Sequence, residues 1–401
     1  MTDSILASLS RPPAPLHRGV GVLSEPHFDP DRLAGFSVGV RGALDAMLAG
    51  WVVQSRPYQH RVIATAIRRL AGTDVGRDGP PVAKASRVLI ESPHGSGKTV
   101  VGLATAALIQ HVTGARVGWL AIRRRALAQA EAENRARRFG VRMKTIAVSE
   151  KRPPGVDLLV VEDVQQDAAA RIAELHHQIQ PLWTLGLSAA PSRSDRVQLG
   201  FDHVIRGASL ASLIAEGYLS PYHHYTLPEY TPQRIAQLLQ RDPQRWGRSL
   251  VFFHRRSECD LLYMLLRQAG VACEVVTETG DREPQLEAFA AGETQVLISM
   301  TVISEGFEAS ELQTVFCRPG GKGCTIQMAG QGLRPSRHVP IKQIVQCSQT
   351  SYRILRAAAA AEQYRWTQEG WQRVHPDRIS LSVRFPRFTS GVAVDDRSSM
   401  R

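Results

Sequence analysis

The stretch that decides the fold is Ser92-Pro93-His94-Gly95-Ser96-Gly97-Lys98-Thr99. The apolar run Val88–Ile90 precedes it and another apolar run, residues 100–104, follows it, so it is predicted to join a strand to a helix. Glycines let the backbone curl around an anion, and the helix dipole favours negative charge at the same place. The stretch therefore predicts a phosphate-binding loop, in which Lys98 reaches the outer phosphates and Thr99 offers its hydroxyl to Mg²⁺.

A short segment upstream extends the predicted site toward the base of a nucleotide. Arg56-Pro57-Tyr58-Gln59 opens an amphipathic helix, and a glutamine amide can hold both the N6 donor and the N7 acceptor of adenine. The alternative is a solvated glutamine at a helix start. The residues predicted to contact the nucleotide in these two segments are Arg56, Gln59, Pro93, His94, Gly95, Ser96, Gly97, Lys98 and Thr99.

A pair of acids follows a second buried strand. Residues 158–161 are apolar, and Glu162 and Asp163 come directly after them. Carboxylates at a strand end beside a phosphate loop can hold Mg²⁺ and orient the attacking water. The alternative is an ordinary acidic strand end.

Strands alternate with helices along the chain, which predicts an α/β fold with mostly parallel sheets covered by helices on both faces. The alternation stops in a segment interpreted as a connector, residues 202–230, and restarts at Arg248. We therefore expect two α/β lobes. The predicted divisions are an extended N-terminal arm with one short helix near 40–48 (1–50), a first domain (51–228), a second domain (229–345) and a basic C-terminal helix and tail (346–401).

The charge of the chain indicates a polyanionic partner. The formal net charge is +12, and only six of the 49 basic residues are lysine. Arginine suits phosphate forks and stacking on bases. Arg123 and Arg124, between a predicted strand and a helix, are expected to hold a nucleic-acid backbone. An arginine-biased composition and a solvated charge run are the alternatives.

The C-terminal stretch combines basic and aromatic residues. Tyr352, Tyr364, Trp366 and Trp371 are interleaved with arginines, a pattern that suits stacking on the bases of a single strand. The same aromatics suit packing of a helix against the second lobe, and the sequence favours neither alternative.

Other features of the sequence argue against a membrane-spanning, secreted or zinc-binding protein. No apolar run is long enough to span a membrane, and the N-terminus lacks a secretory pattern. The five cysteines form no C-x-x-C pair, which predicts reduced thiols in a cytoplasmic protein without a zinc site.

Over residues 52–340 the ordered motifs resemble the superfamily 2 helicases and translocases, in particular the DEAD/DEAH-type branch. The resemblance implies two tandem RecA-like domains, ATP and Mg²⁺ as cofactors, and catalytic roles for Lys98, Glu162, Asp163 and Arg334, the last as an arginine finger. It implies further nucleotide contacts at Glu305, Gly306, Gln327 and Gln331. It also implies nucleic-acid contacts at Arg123, Arg124, Arg193 and Thr301.

The sequence departs from the family pattern at several positions. The family has Asp-Glu where this chain has Glu162-Asp163, an arginine where it has Gln331, and a hydroxyl residue where it has Ala190. These changes point to slow or regulated turnover. The first hypothesis is an ATP-driven motor on nucleic acid, DNA more than RNA. The alternatives are an ATP-binding clamp with weak hydrolysis and a subunit of a larger defence or recombination complex.

Overall fold

The computed structural model of the protein describes residues 28–54, 56–73, 85–122, 124–162, 166–189, 200–276, 283–300 and 311–374. These residues form two lobes, each built on its own β-sheet. The expected fold class, two α/β lobes with mostly parallel sheets, is confirmed.

The first lobe contains a six-stranded, all-parallel sheet in the order β3-β2-β4-β5-β1-β6. Its strands are β1 (Arg87–Glu91), β2 (Val117–Ala121), β3 (Met143–Ala147), β4 (Leu158–Glu162), β5 (Trp183–Ser188) and β6 (His203–Arg206). Its helices are α1 (Arg32–Val38), α2 (Val40–Leu48), α3 (Pro57–Ala71), α4 (Lys98–Thr113), α5 (Arg124–Ala136) and α6 (Gln166–Ile179).

The second lobe contains an eight-stranded sheet in the order β14-β13-β7-β12-β11-β8-β10-β9, in which only the β13–β14 pair is antiparallel. Its strands are β7 (Tyr222–Leu227), β8 (Ser249–Phe252), β9 (Cys273–Val276), β10 (Val296–Ser299), β11 (Thr314–Cys317), β12 (Lys342–Cys347), β13 (Glu362–Thr367) and β14 (Gly370–Arg373). The helices from the connector onward are α7 (Leu210–Ala215), α8 (Pro232–Arg241), α9 (Pro243–Trp246), α10 (Arg256–Gln268), α11 (Glu283–Ala291) and α12 (Lys322–Gly332), with a 3₁₀ turn at Ile354–Arg356.

Helices cover both faces of each sheet because the central strands are apolar on both faces, as parallel strands usually are. In the first lobe, Trp119 of β2 packs into the core formed with α1 to α5, whereas its neighbour Leu120 packs into the core formed with α6. In the second lobe, Phe252 of β8 belongs to the core with α11 and α12, and Val251 to the core with α8 and α10. In the part of the chain that is described, no helix combines the length and apolar character needed to cross a bilayer.

The N-terminal segment differs from the predicted extended arm. Residues 1–27 lie outside the described part, but residues 28–50 contain α1 and α2, and the short helix predicted near 40–48 is confirmed. Leu33, Phe36 and Val40 are buried in the core of the first lobe. The prediction of an arm through residue 50 is therefore wrong, because these helices supply apolar surface to that lobe.

Both predicted boundaries of the second domain are also wrong. The strand β7 precedes residue 229 but pairs with β12 and β13, and β12 itself crosses residue 345. The segment interpreted as a connector contains β6, which pairs with β1 in the first sheet. Sequence proximity favours the wrong lobe for β7, because its partners β12 and β13 are distant in the chain.

The predicted basic C-terminal helix is replaced by strands. Residues 362–373 form the hairpin of β13 and β14 at the edge of the second sheet, and residues 375–401 lie outside the described part. Tyr364 stacks on Tyr225 at a centroid distance of 4.8 Å, and Trp371 meets Trp246 at 5.7 Å. These aromatics therefore pack the hairpin against the rest of the second lobe. Their packing role is the one that the sequence offered as an alternative to base stacking, but the element is a hairpin and not a helix.

Candidate nucleotide site between the lobes

The phosphate-binding loop has the backbone that the glycines predict. Gly95 and Gly97 both have φ of +78°, in the left-handed region that glycine adopts without strain. Gly97 is the N-cap of α4, which runs for 16 residues, so the first-turn N–H groups of a long helix lie at the end of the loop. A Cβ atom at Gly97 would lie 2.6 Å from Nε2 of Gln59, so a side chain there would also displace Gln59.

The residues predicted to read the base are tied to this loop through α3. The Gln59 side chain is buried, and its Nε2 donates to the carbonyl oxygen of Ser96 at 2.9 Å. The hydroxyl of Tyr58 donates to the same carbonyl oxygen. Arg56 comes just before α3 and donates from Nη1 to the Tyr58 hydroxyl at 3.3 Å. The predicted base-reading segment and the phosphate loop therefore form one hydrogen-bonded unit.

The predicted magnesium ligands are in direct contact. Oγ1 of Thr99 donates to Oε1 of Glu162 at 2.7 Å, and Nε1 of Trp119 donates to Oε2 of Glu162 at 2.9 Å. Hydroxyl and carboxylate oxygens are the donors that Mg²⁺ prefers, so the residues present fit this ion. Trp119 was not predicted as a site residue, because in the sequence it belongs to an ordinary buried strand.

The second lobe reaches the same loop through α12. A Cβ atom at Gly330 would lie 3.2 Å from Cβ of His94, and one at Gly95 would lie 3.8 Å from Cγ of Arg334. Burial, followed by the positive charges of Lys98 and Arg334, lowers the pKa of His94 well below its usual value. The imidazole is therefore neutral at physiological pH and lies within the field of both cations. Lys98 and Arg334, from different lobes, converge on one loop.

The other predicted site residues fall into two groups. Gln331 is buried and Gln327 is half-buried, both on α12, while Arg124 is exposed at the start of α5. The residues outside the described part are Arg123, Asp163, Arg193, Thr301, Glu305 and Gly306.

Comparisons with known proteins agree with this architecture. The fold is similar to a fragment of a protein assigned as the HsdR subunit of a type I restriction enzyme from Vibrio vulnificus (TM-score 0.57, 16% identity, 82% of this chain and 72% of that one). It is also similar to S. cerevisiae Dbp5 bound to RNA and ADP BeF3 (TM-score 0.54, 13% identity, 77% and 93%). A third similar structure is the Type ISP restriction-modification enzyme LlaBIII bound to DNA (TM-score 0.51, 11% identity, 76% and 28%). At these identities the likeness shows the fold alone.

Sequence comparison adds a match to a helicase domain in the second lobe. Residues 231–334 match the helicase conserved C-terminal domain, so the match begins just before α8 and ends at Arg334. The chain is 23% identical over 270 residues to the 51.5 kDa protein of a Lactococcus phage, and it spans 59% of that protein's length. It is 29% identical over 72 residues to the ATP-dependent RNA helicase DBP5 of Scheffersomyces stipitis, 14% of that protein's length.

Proposed function

We propose that the chain is a superfamily 2 helicase that hydrolyses ATP between its two lobes and uses the cycle to move along or remodel nucleic acid, DNA in preference to RNA. The observation that carries the proposal is the convergence of α12 on the phosphate loop. Gly330 packs against His94, and the stem of Arg334 lies over Gly95. A loop that only bound a nucleotide would not need a cation supplied by the other lobe.

The chain's own residues divide the work of phosphoryl transfer between the lobes. The loop N–H groups and Lys98 bind the phosphates from the first lobe, and Thr99 and Glu162 hold Mg²⁺. When bound, Mg²⁺ neutralises charge that develops on the transferring phosphoryl group. Arg334 adds positive charge from the second lobe, which is the role of an arginine finger. Hydrolysis weakens the bridge between the lobes, and their alternate closing and opening supplies the step along a strand.

The decisive experiment is nucleic-acid-stimulated ATP hydrolysis by wild type and by Lys98→Ala. We expect the variant to lose at least about 100-fold in kcat/KM, because Lys98 is the loop's charge toward the outer phosphates. Lys144→Ala is the matched control, since Lys144 is an exposed lysine on β3. Equal hydrolysis by Lys98→Ala and wild type would refute the proposal.

The nucleic-acid preference needs a separate panel of single-stranded DNA, duplex or forked DNA, and RNA. The preference for DNA rests on the resemblance of Arg56-Pro57-Tyr58-Gln59, because the predicted nucleic-acid contacts are to the backbone and give no base readout. With a net charge of +12, we expect the affinity to fall by at least about 100-fold between roughly 50 and 200 mM salt. Stronger stimulation by RNA than by any DNA would reverse the assignment of the partner.

A second candidate is an ATP-binding clamp or complex subunit with weak hydrolysis. It is favoured by Glu162, whose two carboxylate oxygens already accept hydrogen bonds from Thr99 and Trp119. This candidate predicts that ATP raises the affinity for nucleic acid while turnover stays near the unstimulated level. A turnover that rises with added nucleic acid excludes it.

A further inference from the structure

The turn between the lobes, residues 217–220, touches three parts of the candidate nucleotide site. It follows α7, and Gly217 has φ of +74°, which allows the chain to reverse without strain. The N–H groups of Tyr218 and Leu219 both donate to the carbonyl oxygen of Leu213, at 2.8 and 3.0 Å. These bonds give the turn a defined shape and fix the direction of the side chains that follow.

Tyr218 packs at the base end of the site. The guanidinium carbon of Arg56 lies 4.7 Å from the centroid of the Tyr218 ring, a cation–π geometry. The ring of Tyr58 meets Tyr218 edge-on at 5.6 Å. Arg56 is thus held between the Tyr58 hydroxyl, to which it donates, and the face of the Tyr218 ring.

The next two residues of the turn reach the phosphate end and the second lobe. A Cβ atom at Gly95 would lie 2.8 Å from Cδ2 of Leu219, so the leucine rests on the phosphate loop. The N–H of Ser220 donates to the carbonyl oxygen of Leu333 at 2.8 Å, one residue before Arg334. One short turn therefore contacts the base-reading segment, the phosphate loop and the residue adjacent to the arginine finger.

We propose that Tyr218 is a positioning residue for nucleobase recognition, which holds Arg56 in place for the purine base of ATP. The inference rests on the proposed function, because it needs a nucleotide in this site. An arginine has a long, flexible side chain, and stacking on a fixed ring preorganises its planar guanidinium. The Tyr218 ring supplies that surface from outside the first lobe, so base recognition depends on the segment that connects the lobes.

The experiment compares four variants in steady-state hydrolysis of ATP and of GTP: Tyr218→Leu, Tyr218→Phe, Arg56→Ala and the double variant Tyr218→Leu with Arg56→Ala. Leucine keeps apolar volume against Tyr58 but removes the aromatic face, whereas phenylalanine keeps the face and removes the hydroxyl. We expect Tyr218→Leu to raise the KM for ATP about tenfold and to lower the preference for ATP over GTP. Phenylalanine should restore both, and thermal melting reports any loss of folding.

The double variant separates positioning from general packing. If Tyr218 acts through Arg56, the double variant should have the KM of Arg56→Ala alone, because the ring then has nothing to hold. The proposal is overturned if Tyr218→Leu keeps the wild-type KM and base preference, or if the two effects multiply in the double variant. These outcomes leave the loss of hydrolysis in Lys98→Ala unchanged, so they are distinct from a failure of the proposed function.

Discussion

Lys342 is the first residue of β12, and its side chain lies inside the second lobe with 1% of the residue exposed. Its Nζ donates to the carbonyl oxygen of Leu312 at 2.6 Å, and burial lowers the pKa of the ammonium to about 8. Below pH 8 the lysine is protonated in both the folded and the unfolded chain, so folding bears the full cost of burying the charge. Between pH 8 and about 10.4 Lys342 is protonated in the unfolded chain but neutral in the folded one. The contribution of Lys342 to the free energy of unfolding therefore rises with pH in this range.

Replacing this lysine should therefore change how stability depends on pH. The free energy of unfolding of Lys342→Met should exceed that of wild type by the largest amount at pH 7. This difference should be about 2 kcal/mol smaller at pH 9.5. Urea denaturation of both proteins at the two pH values measures the difference, in which the titration of other groups cancels. Lys144→Met, at an exposed position, is the control. A constant difference between Lys342→Met and wild type would mean that Lys342 does not titrate in this range.

Among the elements, α4 shows how closely a helix can pack on a sheet. Gly102 faces β2 and β5, where an added Cβ atom would lie 2.7 Å from Cδ1 of Leu187 and 2.9 Å from Cη2 of Trp119. Both of those side chains are fully buried and have little room to move. The glycine therefore sets the distance between α4 and the sheet, and with it the position of the phosphate loop at the start of the helix.

Two glycine-to-alanine changes test this packing against helix propensity. Alanine is favoured over glycine in a helix by about 1 kcal/mol, so Gly42→Ala, at an exposed position of α2 with open space around it, should be neutral or stabilising. Gly102→Ala should instead lower the free energy of unfolding by about 1–3 kcal/mol, because the methyl group overpacks the core. Chemical denaturation measures both variants. Stabilisation by Gly102→Ala would show that α4 can move away from the sheet at no cost.

At the scale of the whole molecule, the two lobes meet at Gly330 of α12, a residue without a side chain. Gly330 lies against His94, and its neighbours Met328, Ala329 and Leu333 are buried in the second lobe. A larger residue at position 330 would therefore push on the phosphate loop while the rest of the helix stays anchored. Under the proposed function, this contact sets how far Arg334 can approach a bound nucleotide.

Replacing Gly330 with a larger residue should impair turnover more than folding. We expect Gly330→Leu to lower kcat about 10- to 100-fold, since small misplacements of catalytic groups have effects of this size. The melting temperature should change little. Gly321→Ala, at the start of α12 with open space around it, is the control. Wild-type turnover by Gly330→Leu would show that the lobes do not need this contact during hydrolysis.

The central strands of the first lobe and the helix after the phosphate loop were predictable. Buried strands and amphipathic helices follow from periodicity, which is local, so β1, α4, β2 and β4 lie where the sequence indicates them. The C-terminal strands were not predictable, because the second partner of β13 lies far along the chain. For β13, one neighbour is β14 and the other is β7. The alternation of Tyr364 and Trp366 did not distinguish a strand from a helix before the surface that covers them was known.

The sequence by itself determined the phosphate loop, the acid after β4 and the two-lobe α/β plan, because glycine backbone freedom, helix dipoles and hydrophobic periodicity act over a few residues. Only the tertiary structure decided that Trp119 donates to Glu162, that Tyr218 stacks on Arg56 and that Gly330 seats against His94. Those contacts join residues far apart in the chain. They depend on how buried surfaces of separate elements fit together, which no local pattern encodes.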